Sequence, residues 1–463
     1  VTWIKRSAVV VALSYLVALG WAMQRLEYDL WGALVIGPVL AAVSVPLINQ
    51  AFRGSLAPLR PLAWMGLACK LGGAVSGYFI RSGAYGGFAD ANQYHQAGAR
   101  LAAGVRSGDS TVMAVIPFEP GTLFIEDVTA MVYTIFGSSK LGGYFVFAWL
   151  SYWGLVLTLI AGIIAVPLLA RKRYAVLLFT TPSLVYWGSS IGKEAVVGFF
   201  LGMIAVGIAL AFNNSDRQQM GFAVAAVGAA GTAMVRPHFA AVWVGAAGIA
   251  VAIRLVHNLF LSSRAEHNGS RIGALLMLGL ACGGFLIVST LTLSYLDPNE
   301  MAVNDESVAV TDRISQIFEA TEGRTSTGNS TLELVSTGSP VNYPYAAFRT
   351  LTRPLIIEAG SLTELLPAAE ITVLLVLAAL SWRRFANLPR LLFGNPYIVF
   401  ALVCVVTFGV AFASVGNLGI LVRQRSLVFP LLLLFWCIPA RVPQTLRAMS
   451  PPSALHSQPA STN

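Results

Sequence analysis

Apolar residues run along this chain in long blocks separated by shorter polar segments. Twelve such blocks can be drawn, near 7–23, 29–48, 62–80, 141–167, 174–189, 194–212, 219–235, 237–254, 272–294, 370–382, 395–414 and 421–439. A straight transmembrane helix needs about 20 apolar residues, so most of these blocks read as membrane spans. The weakest, 174–189 and 370–382, also fit half-helices or re-entrant segments. Two polar connections are much longer than the rest. The first, 81–140, contains amphipathic stretches at 90–105 and 121–136, which read as helices lying in the membrane interface. The second, 296–367, is Ser/Thr/Gly-rich as far as Asn342, then aromatic and basic around Tyr343, Tyr345, Phe348, Arg349 and Arg353. The pattern predicts an all-α integral membrane protein with about twelve transmembrane helices (range 10–13). A single polytopic membrane domain covers 1–440, with interfacial helices in the two long exoplasmic loops. The Pro/Ser-rich tail, 441–463, is too poor in apolar residues to fold and reads as cytoplasmic. No internal repeat relates the halves.

Composition agrees with the pattern: 56% of residues are hydrophobic and 11% charged, with a mean hydropathy of +0.71. Soluble domains carry about a quarter charged residues. Charge then orients the chain. Alternating the connections inside and outside puts 16 Lys/Arg but only two acids, Asp216 and Glu266, on the inner side. The outer side receives the other 19 acids and 13 Lys/Arg, and Lys70 stays within a span. Basic residues concentrate in cytoplasmic loops of membrane proteins, so both termini are expected in the cytoplasm. The net charge of +9 is then explained without a nucleic-acid partner. The first block follows Lys5-Arg6 without a small-residue cleavage site and reads as a retained signal-anchor helix. Cys69, Cys282, Cys404 and Cys437 lie in apolar stretches with no CxxC spacing. Neither a disulfide nor a metal site is expected from them.

Candidate chemistry gathers on the outer face. Asp90 follows a Gly-rich turn at Gly86-Gly87. It reads as a helix N-cap, or as a general base whose partly shielded carboxylate takes a proton from a sugar hydroxyl. Tyr94 and His95 follow about one turn later. Helices running inward present their positive dipole ends to the outside, where acids are favoured and cations are not. Asp29 and Glu370, at the starts of the second and tenth spans, obey this. Lys193-Glu194 at the sixth, Arg236-Pro237-His238 at the eighth, and Arg423 and Arg425 at the twelfth place cations against it. Cations at positive helix ends predict a phosphate-bearing ligand between them; the plainer reading is snorkelling toward lipid headgroups. Lys70 stands mid-span, where a charge costs ~2.5–3.5 kcal/mol on insertion scales. It is expected to face the bundle interior and to find a carbonyl, Glu126 or Asp127. Arg349 and Arg353 beside Tyr343 and Tyr345 suit sugar stacking and diphosphate binding. A divalent metal could use Asp90, Glu126 and Asp127, but their spacing does not demand one, so no cofactor is required.

The run Asp-x-x-x-Tyr-His from Asp90 to His95 resembles the first-loop acidic region of GT-C glycosyltransferases. Those polytopic enzymes move sugars between polyprenyl-phosphate carriers and acceptors on the outer membrane face. The segments from Pro182 to Glu194, Arg236-Pro237-His238-Phe239 and Arg423-Gln424-Arg425 resemble patterns in bacterial multi-pass proteins of exopolysaccharide and capsule assembly. A large loop between the ninth and tenth of twelve spans is similar to that of O-antigen polymerases and ligases. Short motifs carry the resemblance over residues 80 to 430. It implies Asp90 as catalytic base, with Lys193, Arg236 and Arg425 on the carrier phosphate. Tyr94, His95, Glu194, His238, Arg349, Arg353 and Arg423 are then the further substrate-binding candidates. It also implies glycosyl transfer or polymerisation from a polyprenyl-linked sugar or oligosaccharide at a bacterial cytoplasmic membrane, with partners in a polysaccharide assembly complex. Twelve spans would equally suit a secondary transporter or flippase, although repeat symmetry is missing and the long loops are uneven.

Overall fold

The computed structural model describes residues 2–84, 90–109, 119–260, 279 and 340–440. The expected span 272–294, the Ser/Thr/Gly-rich part of the second long loop as far as 339, the turn at 86–89 and the tail 441–463 lie outside the described residues. Among the described residues the regular elements are helices, with no strand. They run α1 (Thr2–Arg25), α2 (Tyr28–Ala51), α3 (Arg60–Ala84), α4 (Asp90–Ser107), α5 (Thr122–Phe136) and α6 (Lys140–Ala165). There follow α7 (Arg171–Thr180), α8 (Pro182–Tyr186), α9 (Lys193–Asn213), α10 (Gln218–Val235) and α11 (Pro237–Phe260). The last group is α12 (Tyr343–Thr352), α13 (Leu362–Leu380), α14 (Pro396–Ala411), α15 (Leu418–Arg425) and α16 (Phe429–Leu434), with two short helices, Trp382–Phe385 and Leu388–Gly394, between α13 and α14.

Among the described residues four helices are long and apolar enough to cross a membrane: α2, α6, α9 and the Pro237–Leu255 part of α11. Glu364–Leu380 and Trp382–Leu392 meet at 68° and make a fifth if they form one span. These helices are compatible with an all-α membrane protein. Two expected spans are broken: 174–189, for which a half-helix was one of the readings, and 421–439, which was expected to be continuous. Block 174–189 divides into α7 and the short α8, because Pro182 has no N–H to offer the Leu178 carbonyl. Block 421–439 divides into α15 and α16, where Pro430 cannot bond back to Ser426.

The core is built around α6 and α9. A Cβ on Gly154 would stand 2.3 Å from the Gly198 carbonyl oxygen, and one on Gly202 2.4 Å from that of Gly154. Only glycine allows the two backbones to come this close. The start of α6 is pinned to α2: Ser139 caps it, accepting from Gly142 N at 3.0 Å, and Asp29 accepts the Lys140 N–H at 2.9 Å. The α4–α5 pair, found where two amphipathic helices were expected, docks on α10 through the Gly121 N–H and the Met234 carbonyl, 2.7 Å apart. Trp243 of α11 packs edge-on against Phe400 of α14 at 5.6 Å. This packing gathers the starts of α4, α9 and α11 beside the last turn of α15.

Candidate functional site

Glu194 is the second residue of α9, in the first turn, where the helix dipole favours a carboxylate. It is 4% exposed, and its Oε1 accepts two charge-assisted bonds. One comes from Arg236 Nη2 at 2.5 Å and the other from Arg423 Nε at 2.5 Å. Arg236 is buried at the junction between α10 and α11, and its Nη1 also donates to Gln424 Oε1. Arg423 turns its opposite edge outward, where Nη1 donates to Asp90 Oδ2 at 2.9 Å. Asp90, Arg423, Glu194, Arg236 and Gln424 thus form one continuous chain of charged and polar groups. The Asp90 side chain, 55% exposed, is its open end.

Lys193 stands beside this chain, within electrostatic reach of Arg236, Glu194, Arg423 and Asp90. Its half-buried ammonium makes no hydrogen bond or close ion pair among the described residues. Three cations therefore face two carboxylates. Tyr94 is buried behind Asp90, beside Thr122. Burial, then the nearby Asp90 and Glu194 charges, push its phenol up to about 12, against the opposing pull of Arg423. His238 packs on Phe239 and Phe412, and its buried Nδ1 has no hydrogen-bond partner among the described residues.

Other expected site residues are placed elsewhere. Arg423 and Arg425 do not begin a helix; they close α15, where the dipole favours cations. That helix starts at the Asn417 cap, whose side chain accepts the Ile420 N–H at 3.1 Å. Arg425 is fully buried and turned away from Arg423. Its Nη1 donates to the carbonyls of Thr350 and Leu351, each at 3.4 Å, and of Arg353, so it satisfies the C-terminal end of α12. Its guanidinium also lies over the Phe429 ring, 5.1 Å from the centroid. The expected phosphate role of Arg425 thus gives way to a helix-end role. His95 leaves Asp90 as well, because it lies about 100° round α4 from Tyr94. Its Nδ1 is 2.7 Å from the Tyr133 hydroxyl and its Nε2 is 3.9 Å from Asp29. Burial draws the His95 pKa down and Lys140 adds to this, while Asp29 opposes. Arg353 pairs with Glu358, and Arg349 lies over the Tyr345 ring. These contacts keep both side chains beside α12.

Among the described residues Lys70 finds neither a carbonyl nor Glu126 or Asp127. It donates to Ser151 Oγ at 2.8 Å, a hydroxyl that nothing in the apolar pattern of α6 marked out. Glu126 accepts from Gln93 at 3.4 Å instead, and burial raises its pKa. Gln424, also unforeseen, was visible between two arginines, but its pairing with Arg236 spans 188 positions. Among the described residues no three His, Cys, Asp or Glu side chains gather around a common point for a metal ion. No protein-family model, curated protein or solved structure matches the chain.

Proposed function

We propose that the chain is a membrane glycosyltransferase or polymerase of cell-surface polysaccharide assembly. It takes its sugar from a polyprenyl-phosphate carrier on the exoplasmic face of a bacterial cytoplasmic membrane, crosses that membrane about twelve times and keeps both termini inside. The observation that carries this reading is Lys193. It is a half-buried cation with no hydrogen-bond partner among the described residues, and it adjoins two arginines and an exposed carboxylate. An anion brought to Lys193 adds charge compensation that Glu194 and Asp90 leave incomplete, and the helix start behind it favours the same sign.

The geometry supports a division of roles. Arg423 engages one oxygen of Asp90, leaving the other for the hydroxyl of an acceptor sugar. As that proton passes to Asp90, the acceptor oxygen bonds to the anomeric carbon. The bond from that carbon to the carrier phosphate breaks, and its electron pair leaves with the phosphate. Lys193, with Arg236 and Arg423 behind it, stabilises the departing charge. Glu194 keeps the guanidinium groups in place and does not touch substrate.

The test uses purified full-length protein in liposomes with a radiolabelled polyprenyl-phosphate sugar and an oligosaccharide acceptor. Wild-type protein is expected to transfer label, and Asp90→Asn to lose about 10²–10⁴-fold of the rate. An unchanged rate in Asp90→Asn removes the catalytic role. Solute uptake without any transfer identifies a carrier.

A further inference from the structure

Inward of Glu194 the bundle holds a partly open cavity of about 30 Å³, lined by Ser151, Thr158, Glu194, Gly198, Trp243 and Ser426 among others. That is room for about two water molecules. Its polar groups have unused capacity. Thr158 donates to the Gly154 carbonyl at 2.9 Å and Ser426 to the Arg423 carbonyl at 2.7 Å, so both hydroxyl oxygens can still accept. Ser151 accepts from Lys70 at 2.8 Å, and its own proton meets no acceptor among the described residues. Lys70 is 1% exposed, and no carboxylate pairs with it among the described residues. Gly188 closes over the pair. A Cβ there would stand 2.3 Å from Ser151 Oγ and 2.9 Å from Lys70 Nζ.

A buried amine with one hydroxyl partner is costly unless something else hydrogen-bonds it. We propose that the cavity is a water-filled chamber that hydrogen-bonds the Lys70–Ser151 pair to Glu194. Lys70 and Ser151 are then positioning residues for the carboxylate that holds Arg236 and Arg423. The chamber extends the outer cluster into the bundle interior, whatever ligand the cluster takes. Two waters match the polar inventory: one accepts from Ser151, the next donates to Glu194, and the lone pairs of Thr158 and Ser426 take the remaining protons.

Radiolytic hydroxyl labelling of the full-length protein in nanodiscs tests hydration without any substitution. Trp243 lines the chamber although it is 1% exposed, whereas Tyr397 is 0% exposed and does not line it. Trp243 is expected to be oxidised several-fold faster than Tyr397, and equal protection of the two overturns the proposal. A Cβ on Gly198 meets only Ser151 Oγ, at 3.8 Å, so Gly198→Ala fills the chamber without a clash. In a dry void the added methyl and the better helix former would stabilise the protein. Displacing needed water should instead lower the melting temperature by about 2–4 °C, and an unchanged or raised value overturns the proposal. For the positioning role, Lys70→Gln and Glu194→Gln are combined in a double-mutant cycle. Their melting shifts are expected to be non-additive, and additive shifts remove that role. If these variants fail to fold, the wild-type labelling still decides whether the chamber is wet.

Discussion

Replacing Glu194 by Gln keeps the side-chain shape and removes the one negative charge shared by two guanidinium groups. Both bonds to Oε1 are 2.5 Å long, and Glu194 and Arg236 are 4% and 6% exposed. Removing one partner of a buried ion pair costs about 3–5 kcal/mol, because the other charge stays buried without compensation. An exposed pair contributes about 0.2–1 kcal/mol by the same kind of measurement. The unfolding constant of Glu194→Gln should therefore rise by roughly two to four orders of magnitude. The formal charge of the cluster rises by one unit, so an anion should restore part of the loss. Equilibrium unfolding in mixed micelles, followed by tryptophan fluorescence with and without inorganic pyrophosphate, reads both effects. A loss below about 1 kcal/mol would mean that Glu194 does not compensate the buried Arg236. Failure of pyrophosphate to stabilise the variant more than the wild type would refute the anion-site reasoning.

Asp90→Asn breaks a pair whose carboxylate is 55% exposed. Its stability cost is expected below about 1 kcal/mol in the same unfolding assay, so its loss of sugar transfer should not reflect unfolding. Arg425→Met strips hydrogen bonds from the end of α12 and should cost about 1–3 kcal/mol by the same unfolding measurement. Binding of polyprenyl phosphate should stay within about twofold, since the cluster uses Arg423; a larger loss would return Arg425 to the phosphate site. Because the folded protein holds His95 below its usual pKa of 6.5, the unfolded chain takes up the proton first as pH falls. The His95 contribution to stability is thus complete above pH 6.5 and is lost as pH falls through the lowered value. His95→Gln should flatten this part of the melting-temperature profile, and an unchanged slope contradicts it.

The residues that the sequence singled out and the structure brings together share one property. Asp90, Lys193, Glu194 and Arg236 sit at helix starts or junctions, where polarity changes abruptly and dipole rules apply. Arg423 and Arg425 were harder to separate. Two residues apart on a helix point about 200° away from each other. Only packing against α4 and α12 decides which guanidinium meets Asp90 and which meets carbonyl groups. Neighbouring Tyr94 and His95 divide between two clusters for the same reason. Hydrophobic blocks located α2, α6, α9 and α11, and the weakness of block 174–189 admitted the break at Pro182, but the length of block 421–439 gave no sign of the interruption at Pro430. The Lys70 partner was illegible, since a single serine in the apolar run of α6 looks like any small residue. Its role comes from Gly188 and α3 passing within reach.

Equilibrium binding of polyprenyl phosphate, with polyprenol of equal chain length as the control, shows whether the cluster recognises phosphate. The purified protein is held in nanodiscs, so that both ligands partition alike and only the phosphate distinguishes them. The cluster predicts at least about tenfold tighter binding of the phosphate form, with most of that margin lost in Lys193→Met. Equal binding of the two ligands, or a margin that survives Lys193→Met, would contradict the assignment of this cluster as a phosphate site.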